Sequence, residues 1–232
     1  QLGPRLPATV VRRGATQTQL WGPVMRIGPM VRLGRSSEAV LQASAELAQI
    51  EANVDVSSKI VLYGTLALAW LGEGNVEQAR RVATQALTVL QSIKPVTFFL
   101  YPGIIAMNEV LLTLWERSAE GSSEREQLMK EARAGIQILR TFALILPFAR
   151  AFSWLCRGSE AWLSGRPAAA RQAWLQALAE AGQHKMPFQE ALARYELGPR
   201  MDLQEPSRRT HLLRARALFS ELKMPDELAR WQ

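Results

Sequence analysis

The residue types that commonly do chemistry in proteins are few and widely separated in this chain. It contains one cysteine, Cys156, and two histidines, His184 and His211. A catalytic nucleophile needs a base beside it, and a zinc site needs several Cys, His or carboxylate ligands at close spacing. Neither pattern occurs here. Cys156 lies in an apolar helical stretch and is predicted to be a buried small hydrophobic residue, and no metal or cofactor site is predicted.

Nucleotide chemistry also lacks its usual residues. No G-x-x-x-x-G-K-[ST] loop occurs, so the backbone cradle and lysine that bind nucleoside triphosphates are missing. A nucleotide cyclase needs a pair of aspartates that hold two magnesium ions, whereas Asp55, Asp202 and Asp226 stand alone. We therefore expect no catalytic residue in this chain, and whether it belongs to an enzyme stays open.

The charge is unevenly distributed. The net charge of +7 and the isoelectric point of about 10.2 are typical of nucleic-acid-binding proteins. Residues 1–37, however, hold six arginines and no acid, which leaves 22 basic and 21 acidic side chains for residues 38–232. The densest basic stretch of this body, RRTHLLRAR at 208–216, is flanked by Glu205 and Glu221. The body is thus nearly neutral, and nucleic acid is not the expected partner.

The start of the chain differs from the rest. Gly3, Pro4, Pro7 and Gly14 break any helix in residues 1–15, which are predicted to be disordered or not native sequence. The absence of an initial methionine suggests a fragment, and an arginine-rich transit peptide is a second interpretation. No run reaches 18 apolar residues, so no membrane span is predicted. The single cysteine favours a reduced, cytoplasmic location.

The apolar residues follow a helical period. In WLCRGSEAWLSGRPAAARQAWLQAL (154–178) one apolar helix ends at Gly165, and Pro167 suits the first turn of a second helix. The same hairpin pattern returns at 56–93 around Gly74. A hairpin of this kind cannot bury its own apolar face, so the pattern predicts a stack of hairpins.

Small residues mark the repeat. In each of five predicted helix pairs, the second helix carries an alanine that is followed four residues later by an apolar residue. In three of these pairs, a glycine of the preceding turn lies five residues before the alanine. The alanines are Ala39, Ala79, Ala132, Ala170 and Ala215, the later residues are Ala43, Ala83, Ile136, Trp174 and Phe219, and the glycines are Gly34, Gly74 and Gly165. We therefore predict an all-α fold, a right-handed superhelix (solenoid) of about five antiparallel helix pairs, forming one domain over residues 16–232.

Two surfaces are candidates for partner binding. The segment KPVTFFLYPG (94–103) is unusually apolar for a loop, so Phe98, Phe99 and Tyr101 form a partner-binding lip or pack between hairpins.

In a solenoid the first helix of each pair lines the concave side. Phe152, Leu155 and Trp162, with Leu68 further back, would then form an apolar groove for an extended or helical peptide. The alternative for the tryptophans, Trp162 included, is core between helices.

Two hairpins resemble tetratricopeptide repeats. Their residues at that motif's signature positions are Tyr63, Leu66, Ala67, Ala79, Ala83, Ala86 and Leu87 in one, and Trp154, Gly158, Gly165, Ala170, Trp174, Ala177 and Leu178 in the other. Arg157 departs from the pattern, which wants an apolar residue there, and neither hairpin has the terminal proline.

A wider resemblance covers residues 20–231. The succession LTLWE (112–116), RGSEAWLSGRP (157–167), MPFQEALARYELG (186–198) and RRTHLLRARALFSELKMPDELAR (208–230) is similar to the C-terminal repeat region of bacterial multidomain AAA/STAND ATPases, especially class III adenylate and guanylate cyclases. The resemblance implies a non-catalytic regulatory region in signal transduction that binds protein or peptide, including other domains of the same polypeptide. It transfers no catalytic residue. The alternative is a nucleic-acid-associated segment of a STAND-type transcriptional regulator.

Overall fold

The computed structural model of the chain describes residues 22, 24–50 and 56–224, and in this part the backbone is helix or turn with no strand. The predicted all-α class is confirmed. The predictions for residues 1–15 and for a closing helix at 225–231 fall outside the described residues.

Ten α-helices follow one another in the described part of the chain. α1 covers residues 24–32, and the others are α2 Ser36–Ile50, α3 Val56–Gly72, α4 Val76–Gln91, α5 Tyr101–Arg117, α6 Ser123–Ile145, α7 Arg150–Leu163, α8 Pro167–Gln183, α9 Pro187–Leu197 and α10 Pro206–Glu221. Single turns of 3₁₀ helix at Phe98–Leu100, Pro147–Ala149 and Gly198–Arg200 adjoin α5, α7 and α9.

Glycine forms the tight turns within three helix pairs. Gly34, Gly74 and Gly165 have φ between 71° and 76°, the left-handed region that residues with a Cβ avoid. At Gly74 the amide donates to the carbonyl of Leu71, and the amide of Asn75 donates to the carbonyl of Trp70 at 2.9 Å. The corresponding two hydrogen bonds also form at Gly34 and Gly165, so α1, α3 and α7 each end in a Schellman motif. The predicted role of the turn glycines is confirmed.

Two lysines form the same turn without glycine. Lys185, after α8, and Lys223, after α10, have φ of 52° and 56°. The amide that follows each of them donates at 2.9 Å to the helix, from Met186 to Ala181 and from Met224 to Phe219. Glycine is the sequence signal for such turns, and these two turns lack it; their shared sequence is Lys-Met-Pro.

The repeated small residues lie in the core. All five alanines of the repeat and all five apolar residues that follow them by four positions are buried. Each pair of positions therefore faces a neighbouring helix, and the predicted apolar face of every second helix is confirmed.

Helices α3 and α5 approach each other most closely at two glycines. A Cβ on Gly103 would lie 2.5 Å from the carbonyl oxygen of Ile60, and a Cβ on Gly64 would overlap the main chain of Gly103. The two backbones are thus in direct contact, with no room for any side chain at the crossing.

Neighbouring helices pack along the whole described chain. Each helix from α2 to α9 contacts the next one, and α3 also contacts α5, α5 contacts α7, and α7 contacts α9. Arg32 at the end of α1 reaches further, because it pairs with Glu109 of α5 and lies over the ring of Phe188 in α9, 5.0 Å from its centre. This arginine therefore links the first helix to the ninth.

One helix among the described residues, Phe98–Arg117 with its preceding turn, is long and apolar enough to cross a membrane. Two-thirds (67%) of its most apolar window is buried inside the protein, as in the core helix of a soluble protein. Its composition is therefore only weak evidence for a span.

Candidate functional site

The candidate site is a pocket of about 70 Å³ between α5, α7 and α9. It brings together three of the six residues predicted to bind a partner, Phe152, Leu155 and Trp162, which all come from α7. Phe152 and Leu155 are only 3% and 5% exposed, and Leu68 is also buried. The expectation that these positions lie open in a groove is therefore wrong, because α5 and α9 cover them. Trp162, 36% exposed, lies at the outer edge.

Glutamates line this pocket, and they are the residues that sequence reasoning missed. On α5, Glu109 and Glu116 are seven residues apart and so share a face with Leu112. On α9, Glu196 follows Leu192 by four residues and lies on the same face. The available signal was a pair of acids on the apolar side of a predicted core helix, which is unusual because charged groups are rarely buried without partners.

Arg32 pairs with Glu109, one of these acids. Its Nη1 donates to Oε1 of Glu109 at 2.8 Å, and its Nη2 donates to Oε2, a two-point pair between a guanidinium and a carboxylate. Both side chains are largely buried. Since α1 and α5 are far apart in sequence, only the tertiary structure brings this pair together.

Arg200 is shared between two other glutamates. Its Nη1 lies 2.8 Å from Oε2 of Glu196, and its Nη2 lies 3.6 Å from Oε1 of Glu116. The guanidinium also lies over the rings of Trp162 and Trp174, about 5 Å from each ring centre. One cation thus serves two carboxylates and two aromatic rings.

Glu196 is the most perturbed group in the pocket. It is 8% exposed, and burial raises the pKa of its carboxyl to about 7; nearby Arg200 opposes that rise, and Glu116 adds to it. Its Oε2 accepts no hydrogen bond. Arg200 Nη1 donates to the main-chain carbonyl of Glu196 at 3.2 Å and also lies 2.8 Å from Oε2. The guanidinium and the carboxylate therefore form a close ion pair within one turn of the chain.

Cys156 lies beside these acids and is buried, as predicted. Burial raises the pKa of its thiol well above the ordinary value, and the negative charges of Glu109 and Glu196 raise it further. Because the thiolate is the reactive form, this cysteine is not a nucleophile at neutral pH.

The segment before α5 divides into buried and exposed residues. Phe99 is buried, which agrees with the alternative that this segment packs between hairpins and not with an exposed lip at that residue. Tyr101 packs edge-on against Phe148, with ring centres 5.0 Å apart, and its hydroxyl accepts a hydrogen bond from Gln189 of α9 at 3.2 Å. Burial raises the pKa of Tyr101 to about 12. Phe98 remains 64% exposed.

Phe98 belongs to an exposed apolar surface, which we call the apolar end: Val96, Phe98, Leu144 and Ile145. Tyr101 at the start of α5 stacks on Phe142 near the end of α6. Since these consecutive helices run antiparallel, the residues before Tyr101 lie level with those after Phe142. The loop before α5 and the end of α6 therefore form one surface.

The remaining titratable residues form no metal site. No group of three or more His, Cys, Asp or Glu side chains in the described ranges is placed to hold a metal ion. His184 lies 3.5 Å from Glu180 on its own helix, and the Nδ1 atom of His211 lies 3.5 Å from Arg194. Burial and the charge of Arg194 lower the pKa of His211.

Comparison of the sequence with known protein families and with curated proteins gave no match.

Proposed function

We propose that this chain is a non-catalytic regulatory region of tetratricopeptide-like helix pairs that binds a protein segment, within a multidomain signalling ATPase such as an adenylate or guanylate cyclase. The observation that carries the proposal is the recurrence of one glycine turn within three of the helix pairs and of one buried alanine in the second helix of all five. The class of the parent protein, a multidomain signalling ATPase, is proposed from the sequence resemblance.

The order of contacts supports the stacking of successive helix pairs, which we propose to form a right-handed superhelix. The first helices of successive pairs, α3, α5, α7 and α9, contact one another in turn. The second helices α2, α4, α6 and α8 each contact the first helix of the next pair. Stacking of each helix pair on the next is the arrangement of a solenoid, and the contact of Arg32 with Phe188 is an additional one between α1 and α9.

The contact between α1 and α9 changes where a partner would bind. Arg32 spans from Glu109 to Phe188, so side chains fill the space where α1, α5 and α9 meet. The apolar end is the better binding surface, because its four side chains are exposed and large. We propose that its occupant is another domain of the same polypeptide, in the cytoplasm, with no cofactor held by this chain.

The nucleic-acid alternative has less support. Arginines of the body pair with glutamates, as in Arg80 with Glu124, Arg171 with Glu205, and Arg214 with Glu190 and Glu221. A guanidinium already paired gains less from a phosphate, since the existing pair must first be broken.

The experiment begins with the genomic sequence upstream of the codon for Gln1, which should encode a phosphate-loop ATPase module. The whole polypeptide is then expressed, and its ATP turnover is compared with that of the Phe98→Asp variant. The matched control is Leu203→Asp. It likewise replaces an exposed apolar side chain by a charged one, but Leu203 lies between α9 and α10, away from the apolar end.

We expect Phe98→Asp to change ATP turnover at least fivefold and Leu203→Asp to leave it within twofold. Equal effects of the two variants would remove the apolar end as the binding surface. An upstream region without an ATPase module would refute the proposed parent protein. Binding of duplex DNA by residues 36–232 at physiological salt would favour the transcriptional alternative.

A further inference from the structure

We propose that the surface where α6 meets α7, beside the apolar end, binds an acidic protein segment, with Arg140 and Arg157 holding its carboxylates and Leu144 contacting its apolar side chains. This inference rests on the proposed function in taking a protein segment as the occupant, and it adds the chemistry that the segment must carry. Peptide binding is measured directly, so the inference can fail while the proposed function stands.

One exposed stripe of α6 lies beside α7. Its residues follow one another at steps of three or four positions, so they share one face of the helix: Arg133, Gln137, Arg140 and Leu144. The first of them shows which way the face points. Arg133 Nε donates to Oε1 of Glu160 at 3.1 Å, and its Nη2 donates to Oγ of Ser164 at 3.2 Å, so the stripe borders the C-terminal half of α7.

The facing side of α7 carries Arg157. This arginine lies three residues before Glu160, the partner of Arg133, so the two share a face of α7. The helices run antiparallel, and Arg140 lies seven residues after Arg133, which places it about level with Trp154. The guanidinium of Arg157 lies over the ring of Trp154, 3.7 Å from its centre. Arg140 and Arg157 therefore face each other across the two helices.

The two ends of this helix contact differ in charge. At one end, Glu160 pairs with both Arg133 and Arg166. At the other end Arg140 meets Arg157, and in the part of the chain that the structure describes neither of them pairs with a carboxylate. Burial and the charge of Arg140 lower the pKa of Arg157. Like charges that are partly removed from water repel, and an anion bound between them relieves the repulsion.

The arrangement of the arginines suits a carboxylate. Contact with the indole of Trp154 holds the guanidinium of Arg157 in place, and its N–H donors bond to none of the described residues. A guanidinium binds the two oxygens of a carboxylate with parallel hydrogen bonds. Arg150, exposed in the first turn of α7, lies on the same face four residues before Trp154 and adds a third cation.

The neighbouring apolar residues favour a protein segment over a nucleic acid. Leu144, one turn after Arg140, is 75% exposed, and Ile145 next to it is 51% exposed. A nucleic-acid backbone carries a charge at every phosphate and would leave these side chains without an apolar contact. A helical segment that presents both carboxylates and leucine-like side chains covers the arginines and the apolar end together.

The test measures the affinity of a rhodamine-labelled peptide for the full chain by fluorescence anisotropy. The probe is a twelve-residue peptide in which pairs of glutamates alternate with pairs of leucines. In one comparison peptide every glutamate is replaced by glutamine, in another every leucine is replaced by alanine, and the third comparison probe is duplex DNA. We expect the acidic, leucine-containing peptide to bind at least tenfold more tightly than each of the other three.

The variants Arg140→Gln and Arg157→Gln should each weaken binding of this peptide about tenfold, because each removes a charge-assisted contact. The matched control is Arg216→Gln, which removes the same charge from an exposed arginine of α10 that also has no acidic partner among the described residues. It should change affinity by less than twofold. The melting temperature of Arg140→Gln should not fall, because the substitution removes a repulsion.

Several results would each overturn the inference. Equal binding of the glutamine or the alanine peptide would show that the surface does not select a segment with both acids and apolar side chains. Tighter binding of DNA would assign the arginines to a nucleic acid. An equal loss in Arg216→Gln would reduce the effect to net charge, and a lower melting temperature of Arg140→Gln would show that this arginine supports the fold.

These outcomes differ from a failure of the proposed function. Phe98→Asp that leaves ATP turnover unchanged would remove the apolar end as the regulatory surface, whichever peptide binds. Glutamine and glutamate peptides that bind equally, together with a change of ATP turnover in Phe98→Asp, would leave the proposed function in place and remove only the selection of acids.

Discussion

The first helices of successive pairs cross in two different ways. At α3 and α5 the backbones touch at Gly64 and Gly103, and most of the buried residues of these two helices are apolar. Between α5, α7 and α9 the helices stand further apart around a pocket that holds glutamates and Arg200. The difference shows that residue size at the crossing sets the helix spacing, and the spacing decides whether charges and solvent can enter.

The strongest test of the close crossing is Gly103→Ala. Its added methyl group would overlap the main chain of Ile60 and Val61, which cannot move without displacing α3. We expect a loss of about 3 kcal/mol in the free energy of unfolding, measured by urea denaturation. The control is Gly182→Ala in α8, where nothing lies within 4 Å of the new Cβ. That variant should gain up to about 1 kcal/mol from helix propensity, and an equal loss in both would contradict the role of spacing.

The charged crossing is tested by Arg32→Met. The substitution leaves Glu109 largely buried without its two-point partner, so we expect a loss of about 2 to 3 kcal/mol by chemical denaturation. Arg35→Met is the control, because the Arg35–Glu38 pair is exposed and such pairs contribute little. If Arg32→Met and Arg35→Met cost the same, the pair would not hold α1 against α5.

The pH dependence of stability is a further test of the difference between the apolar crossing of α3 and α5 and the charged pocket between α5, α7 and α9. Burial raises the pKa of Glu196 from 4.5 to about 7 in the folded state, so the folded protein binds this proton more tightly than the unfolded chain. The contribution of Glu196 to the free energy of unfolding is therefore fully present below pH 4.5 and is lost as pH rises to 7. We expect a decrease of about 2 kcal/mol across that window, measured by urea denaturation at each pH.

In Glu196→Gln this pH-dependent loss should disappear, since glutamine does not titrate. Stability that fell equally in wild type and variant over the same window would assign the effect to another group.

The smallest expected effect concerns the turn that leads into α9. Lys185 takes a left-handed conformation with φ of 52°, which costs a residue with a Cβ about 1 kcal/mol. Lys185→Gly relieves this cost, but the greater freedom of glycine in the unfolded chain cancels part of the gain. We therefore expect a net gain of about 0.5 kcal/mol in the free energy of unfolding, measured as a slightly higher melting temperature. Lys185→Ala keeps the Cβ and should give no gain. A gain from both would mean that the lysine charge, and not the backbone, is unfavourable.

Sequence periodicity predicted much of the fold, for reasons visible in particular residues. Ala79 and Ala170 recur at the same place after a turn glycine because two helices cross there, and the local pattern reveals both the turn and the apolar face. The pattern failed at Lys185, where the turn forms without glycine. It also gave no warning of Gly64 and Gly103, since a glycine within a helix looks the same whether or not another backbone touches it.

The candidate site was predicted only in part. Phe152, Leu155 and Trp162 were selected together from their spacing, and they do line one pocket. The predicted exposure was wrong for Phe152 and Leu155, because the burial of these side chains depends on α9, which comes more than 30 residues later in the chain. The acids that give the pocket its chemistry were not selected at all.

By itself, the sequence determined the helices, the helix ends that turn at glycine and the apolar faces, because these follow from the conformations of glycine and proline and from the 3.6-residue period. Only the tertiary structure decided that Arg32 meets Glu109, that Arg200 is shared between Glu116 and Glu196, and that α9 closes over Phe152. These contacts join helices distant in sequence. The pKa of Glu196 depends on the burial they produce, which no local pattern of residues encodes.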